Sequence, residues 1–263
     1  MKIQTSKKLL KSGLLFLLAA FTMVFGLVTP ANAQKIKNVV LVHGAFADGS
    51  GYKGVYEALT KKGYNVTVVQ NPLTSLEDDV AATNLALDAQ DGPVILVGHS
   101  WGGTVITEAG NHPKVAGLVY IAAFQPDKGE STLTWLQTAP PAPENGTLQP
   151  DDKGIVYYDK AKFHGGFAGD LSKKDADFMY ASQGAFYGKG IVTPVTSAAW
   201  RTKPAYAIVA TEDKSLNPEI QRNMYKRSKT KITEIKGSHA VYVSQPQKVA
   251  AVIALAAKEV SAK

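Results

Sequence analysis

Residues 94–103 read VILVGHSWGG, and the fold turns on this stretch. Residues 94–97, Val-Ile-Leu-Val, are a short unbroken apolar run of the kind required by a strand buried on both faces. Gly98-His99-Ser100-Trp101-Gly102 follows at once, and a helical pattern follows that. Glycine two before and two after a serine, between a strand and a helix, fits a sharp turn in which the serine holds strained backbone and bulkier neighbours would collide. Ser100 then stands at a helix N-terminus, where free amides and the helix dipole favour negative charge developing on a nearby oxygen. A glycine-rich turn with a capping serine is the bland alternative, and the strand before and helix after it weigh against that.

Working outward, strand-length apolar runs at 38–42, 64–69, 115–122, 205–210 and 231–235 join the one at 94–97. Helical patterns at 51–62, 76–89, 101–111, 218–227 and 247–260 alternate with them. That alternation predicts an α/β fold with a mostly parallel, doubly wound sheet and helices on both faces. Residues 127–200 interrupt it with Pro140, Pro141, Pro143 and Pro150, then with Tyr157, Tyr158, Phe163, Phe167, Phe178, Tyr180, Phe186 and Tyr187. So long an interruption between two buried strands predicts a cap inserted over the C-terminal edge of the sheet, its aromatics forming a satellite core, a ligand pocket, or both.

The 263 residues are 45% hydrophobic and 19% charged, a globular composition with room for a full enzyme core. With no cysteine there is no disulfide framework, thiolate metal site or cysteine nucleophile. Lys2, Lys7, Lys8 and Lys11, the apolar run 13–28 and the small residues Ala31-Asn32-Ala33 predict a secretory signal peptide at 1–33 and a mature domain at 34–263. The apolar run falls short of the ~20 residues that span a bilayer, so no stable membrane anchor is expected after cleavage. Cleavage removes four lysines and no acids and lowers the formal charge from +7 to +3, which removes the case for nucleic-acid binding. The expectation is an exported protein, periplasmic or extracellular and of bacterial type.

A serine nucleophile needs a base and an orienting acid from loops at the same sheet edge. His239, in Lys236-Gly237-Ser238-His239-Ala240, follows the last predicted strand; of the five histidines it alone sits where a base belongs. Asp213 follows the strand at 205–210, with Glu212 and Asp127 as rival acids. An oxyanion hole needs the amide after the nucleophile and one from the loop after an early strand, which points to Trp101 and Ala45, with Phe46 close behind. Gly49-Ser50-Gly51-Tyr52-Lys53-Gly54 also spells a dinucleotide fingerprint, but Gly49 lies six residues past His43 and the next strand ends in Gln70-Asn71, without the acid a ribose needs. No metal motif is present, and no cofactor is expected. The acidic runs Glu77-Asp78-Asp79 and Asp151-Asp152 read as solvated surface.

Together HGAFADGS (43–50), GHSWGG (98–103), ATEDKSLNPEIQ (210–221) and KGSHA (236–240) resemble the α/β-hydrolase superfamily, in particular the small capped group of plant methyl esterases and hydroxynitrile lyases with its bacterial esterase relatives. The resemblance covers about residues 38–258 and is weakest in the cap. It implies Ser100 as nucleophile, His239 as base and Asp213 as acid, since the spacing D-x-x-x-x-P-E-x-Q fits Asp213 rather than Glu212. The lyases carry Thr where Gly44 stands and Lys where Ala240 stands, so the resemblance favours ester hydrolysis over cyanohydrin cleavage. It implies acyl transfer on a small-molecule ester, with His43, Trp135, Phe163 and Phe186 as expected substrate-side residues and hydrophobic or aromatic esters as the expected class. A ligand-binding protein that kept this fold without catalysis is the competing class.

Overall fold

The computed structural model describes residues 35–262, and the predicted signal peptide at 1–33 lies outside the described residues. In chain order the elements are β1 (Asn38–Val42), a 3-10 turn at Gly49–Tyr52, α1 (Lys53–Thr60), β2 (Asn65–Val69), α2 (Leu76–Asp88), β3 (Val94–His99), α3 (Trp101–Ala109) and β4 (Val115–Ile121). The insertion follows with α4 (Thr132–Leu136), β5 (Ile155–Val156), α5 (Lys160–Phe167), α6 (Lys173–Ser182), β6 (Phe186–Tyr187) and α7 (Lys189–Val192). The chain then returns through β7 (Ala205–Ala210), α8 (Pro218–Arg227), β8 (Lys231–Ile235), α9 (Val241–Ser244) and α10 (Pro246–Ser261).

Six strands pair in the order β2-β1-β3-β4-β7-β8, every pair parallel. Every residue of β1 and β3 is buried, whereas the edge strands β2 and β8 are partly exposed, which is the cost of having one neighbour instead of two. From β1 the chain moves outward to β2 and then returns to the other side of β1 to form β3. Right-handed crossovers therefore place α1, which packs on α10, on one face, and the mutually packed α2 and α3 on the other. The reversal opens a crevice at the carboxyl ends of β1 and β3, where the 43–50 loop and the 98–102 turn lie.

The predicted helix at 51–62 begins instead as the 3-10 turn, capped by the Asp48 side chain accepting from the Ser50 amide, and α1 starts only at Lys53. Packing accounts for the glycines here. A Cβ on Gly51 would lie 2.8 Å from the Tyr242 hydroxyl, and one on Gly54 would lie 2.9 Å from Pro246 Cβ, so the fingerprint-like spacing serves contact with α9 and α10.

Nor do the insertion's aromatics form a satellite. Tyr158, Phe163, Phe167 and Phe186 belong to the same core as the sheet. Phe46 and Trp101 join the two, Phe46 edge-on to Tyr158 at 5.4 Å and to Phe186 at 5.8 Å, and Trp101 against Phe186 at 5.5 Å. At its roots the insertion is held by Arg227 of α8, whose guanidinium lies over the rings of Trp135 and Trp200 and pairs with Glu130.

Candidate active site

Ser100 sits between β3 and α3 with φ 51° and ψ −122°, left-handed backbone that only a tightly constrained turn imposes on a non-glycine residue. The flanking glycines are required by contact. A Cβ on Gly98 would lie 2.4 Å from the Gly102 carbonyl oxygen, and one on Gly102 would lie 2.6 Å from that of Val42. No side chain caps α3, and of its first-turn amides that of Gly103 donates to the Ser100 carbonyl at 2.9 Å.

Three segments far apart in sequence meet here. His239 Nε2 lies 2.8 Å from Ser100 Oγ, and His239 Nδ1 lies 2.6 Å from Asp213 Oδ2, with all three residues buried. Asp213 Oδ1 accepts from the amides of Ser215 and Leu216 at 2.8 Å each, and Oδ2 also accepts from Gln221 Nε2 at 2.8 Å. The rival acids are engaged elsewhere: Glu212 pairs with Lys236, and Asp127 with Arg201.

Ser100 and His239 open into a cavity of about 290 Å³ lined by Ala45, Phe46, Trp101, Phe124, Leu136, Phe167, Phe186, Ile191 and Leu216, with Thr132, Asn145, Thr147, Tyr158 and Ser215 adding uncharged polar groups. No Asp, Glu, Lys or Arg lines it. None of the turn, loop and cap hydrogen bonds among the described residues uses the backbone N–H of Ala45, Phe46 or Trp101. Among the described residues no cluster of three or more His, Asp or Glu is placed to hold a metal ion, and no helix is long and apolar enough to cross a membrane.

The model of the alpha/beta hydrolase family matches residues 39–252. The chain belongs to that family. Over 118 residues this hydrolase is 38% identical to a carbendazim hydrolyzing esterase of a Nocardioides species; the match takes in 40% of this chain and 49% of the relative, so it spans about half of that protein's length. It is 28% identical over 248 residues to a pyrethroid hydrolase of Sphingobium wenxiniae, covering 83% of this chain and 87% of that one. The solved structure of a pyrethroid hydrolase from Sphingobium faniae shares the fold at a TM-score of 0.73 and 24% identity, over 84% of this chain and 97% of the other.

Three of the expected substrate-side residues of the hydrolase lie off the cavity. His43 has both ring nitrogens engaged by backbone: Nδ1 donates to the Gly44 carbonyl at 2.9 Å and Nε2 accepts from the Asn71 amide at 2.9 Å. Burial pulls its pKa down, so it is a neutral organiser of the loop that carries Ala45 and Phe46. Trp135 turns toward the insertion's root, its Nε1 donating to Glu130 at 2.9 Å and its face meeting Arg227. Phe163 stacks on Phe167 at 4.9 Å and meets Tyr158 edge-on, backing two lining residues without reaching the cavity. Phe186 does line it.

Three further residues of the site had no role at the level of sequence. Gln221 closes the D-x-x-x-x-P-E-x-Q spacing, and its contact with Asp213 explains the position. His99 lies wholly buried behind His239, and burial with the neighbouring His239 holds it well below the ordinary histidine range. The acidic run at 77–79 divides: Glu77 and Asp78 are exposed, whereas Asp79 is buried, because the helical turn that starts at Ser75 directs it inward toward Trp101.

Proposed function

We propose that the protein is a serine esterase that cleaves uncharged carboxylic esters of small hydrophobic or aromatic molecules through an acyl-enzyme on Ser100. The observation that carries this reading is the pair of contacts at His239, 2.8 Å to Ser100 Oγ and 2.6 Å to Asp213 Oδ2, at the wall of an apolar cavity without charged lining. As Ser100 Oγ attacks the carbonyl carbon, His239 Nε2 takes its proton, and Asp213 stabilises the resulting imidazolium. The negative charge on the former carbonyl oxygen meets the free amides of Ala45 and Trp101, with Phe46 next in the loop. His239 then gives its proton to the departing alcohol. A water molecule, deprotonated by the same nitrogen, attacks the acyl-enzyme, releases the acid and restores Ser100. The relatives named for carbendazim and pyrethroid hydrolysis support an apolar, aromatic substrate class. A charged ester would lose hydration in this cavity without gaining a partner.

The test is a fluorophosphonate probe with a panel of aryl esters, lactones, amides and cyanohydrins. Labelling at Ser100 and turnover of short-chain aryl esters are expected, with kcat falling about 10⁴- to 10⁶-fold in Ser100→Ala and His239→Ala. Folded protein that takes no label would favour the non-catalytic binder, and full activity in either variant would sink the mechanism.

Export is part of the same reading, supported by the basic start, apolar run and small residues of positions 1–33. Sequencing the N-terminus of protein recovered outside the cytoplasm is expected to begin at Gln34; a retained N-terminal run would refute cleavage there.

A further inference from the structure

One buried carboxyl has no part in the mechanism above. Asp79 lies in the first turn of α2 with none of its surface exposed. Its Oδ2 accepts from the Trp101 indole Nε1 at 2.7 Å, and its Oδ1 accepts from the Leu73 amide at 2.7 Å. Burial, reinforced by the charge of Asp78, pushes the carboxyl up to about 6 even though the two donors oppose the shift. An ionised group there costs stability that an apolar side chain would not.

Both donors lead to the oxyanion side of the cavity. Trp101 follows the nucleophile, and its ring lies against Phe186 of β6. The fit on α7 is close enough that a Cβ on Gly190 would stand 2.9 Å from Trp101 Cη2. Leu73, held at φ 61°, accepts from the amide of Tyr187, the other residue of β6, at 2.9 Å. Phe186 in turn packs edge-on to Phe46, which sits at φ 59° in the loop that faces Trp101 across Ser100. One carboxylate thus holds the indole with one oxygen and, through Leu73, reaches β6 with the other.

We propose that Asp79 is a positioning residue for the oxyanion hole, setting the Trp101 indole and with it the amide that follows Ser100, while tying that indole and β6 into one unit over the cavity. The proposal rests on the acyl-enzyme reading of the site. A carboxylate is suited to it because two N–H donors converge on two acceptor oxygens, whereas an Asn turned to serve one donor presents its own N–H to the other.

The test compares wild type, Asp79→Asn, Trp101→Phe and the double variant, using p-nitrophenyl butyrate for kcat and KM, thermal melting for folding and a fluorophosphonate for Ser100. Asp79→Asn is expected to lower kcat about 10- to 100-fold with KM within about threefold, because the lost interaction strengthens only as charge develops. Trp101→Phe, which lacks the indole N–H, is expected to lose a comparable factor, and adding Asp79→Asn to it is expected to cost much less than it does alone. A lowered melting temperature with unchanged kcat in Asp79→Asn would make the carboxyl merely structural and overturn the proposal, as would fully multiplicative losses in the double variant. If Asp79→Asn does not fold, unchanged kcat in Trp101→Phe overturns it. Wild type that neither takes the label nor turns over the ester defeats the acyl-enzyme reading itself. Wild type that does both, beside an unaffected Asp79→Asn, defeats this proposal alone.

Discussion

His99 Nε2 donates a hydrogen bond to the backbone carbonyl of His239 at 3.0 Å, so the residue before Ser100 holds the main chain of His239. Its ring also packs on His239 at 4.7 Å and on Tyr242 at 4.4 Å, and its Nδ1 has no partner. The imidazole is therefore locked neutral in the folded state. Released on unfolding, it protonates near 6.5, so the unfolded chain binds more protons as pH falls through that value. The contribution of His99 is fully present above about pH 7 and is lost on acidification, and buried His43 acts in the same direction. Between pH 7 and pH 5 wild type is expected to lose melting temperature relative to His99→Phe; an unchanged difference between the two would contradict this.

Asp79 works with the opposite sign. Its folded value, raised from 3.8 to about 6, makes the folded state bind more protons than the unfolded one between those limits, so its contribution is present below pH 4 and is lost as pH rises through 6. A shift of that size corresponds to about 3 kcal/mol. Urea melts at pH 4 and pH 7 are expected to show Asp79→Asn gaining on wild type by an amount of that order at the higher pH, and a constant difference would refute the assignment.

Gln221 ties three groups together around Asp213. Its Nε2 donates to Asp213 Oδ2 and to the Leu216 carbonyl, each at 2.8 Å, and its Oε1 accepts from the Ala210 amide at 3.2 Å. Gln221→Leu would leave the buried Leu216 carbonyl and Ala210 amide without these partners, at a cost of about 1–3 kcal/mol. Slower fluorophosphonate labelling of Ser100 is expected together with a lower melting temperature, because the Asp213 carboxylate is then less firmly aimed at His239. Labelling at the wild-type rate would show that Asp213 holds its place without this support.

Gly44 and Gly165 make a matched pair of substitutions. A Cβ on Gly44 would lie 2.7 Å from Ser100 Cβ and 2.9 Å from the His99 carbonyl oxygen, whereas one on Gly165 in α5 meets nothing within 4 Å. Gly44→Ala is expected to cost about 1–3 kcal/mol and to lower kcat by displacing Ser100. Gly165→Ala is expected to leave kcat alone and to gain up to about 1 kcal/mol from helix propensity. Active, stable Gly44→Ala would show that the elbow relaxes freely. The same contact bears on the threonine that the resembling lyases carry here, since this backbone has no room for it beside Ser100.

Much of this was legible in order along the chain. The predicted spans 205–210, 218–227 and 231–235 coincide with β7, α8 and β8, and the strand-glycine-serine-glycine-helix pattern marked the turn at Ser100. These features are local: a buried parallel strand shows as an apolar run, and a tight turn shows as obligatory glycine. Trp135 and Phe163 stand off the cavity for the complementary reason. Aromatic composition marks a residue as buried or half-buried, but it does not say whether the ring faces a cavity, another ring or Arg227.

Sequence alone determined the parallel α/β architecture, the elbow and the order in which serine, acid and histidine occur, because strand burial, backbone sterics and motif spacing operate over a few residues. Tertiary structure decided that Trp135 and Phe163 stand off the cavity, that Asp79 leaves its acidic neighbours to reach the Trp101 indole, and that Tyr158, Phe163, Phe167 and Phe186 share the sheet's core. Each of these depends on the approach of segments tens of residues apart, where the direction of a side chain is set by what the other segment presents to it.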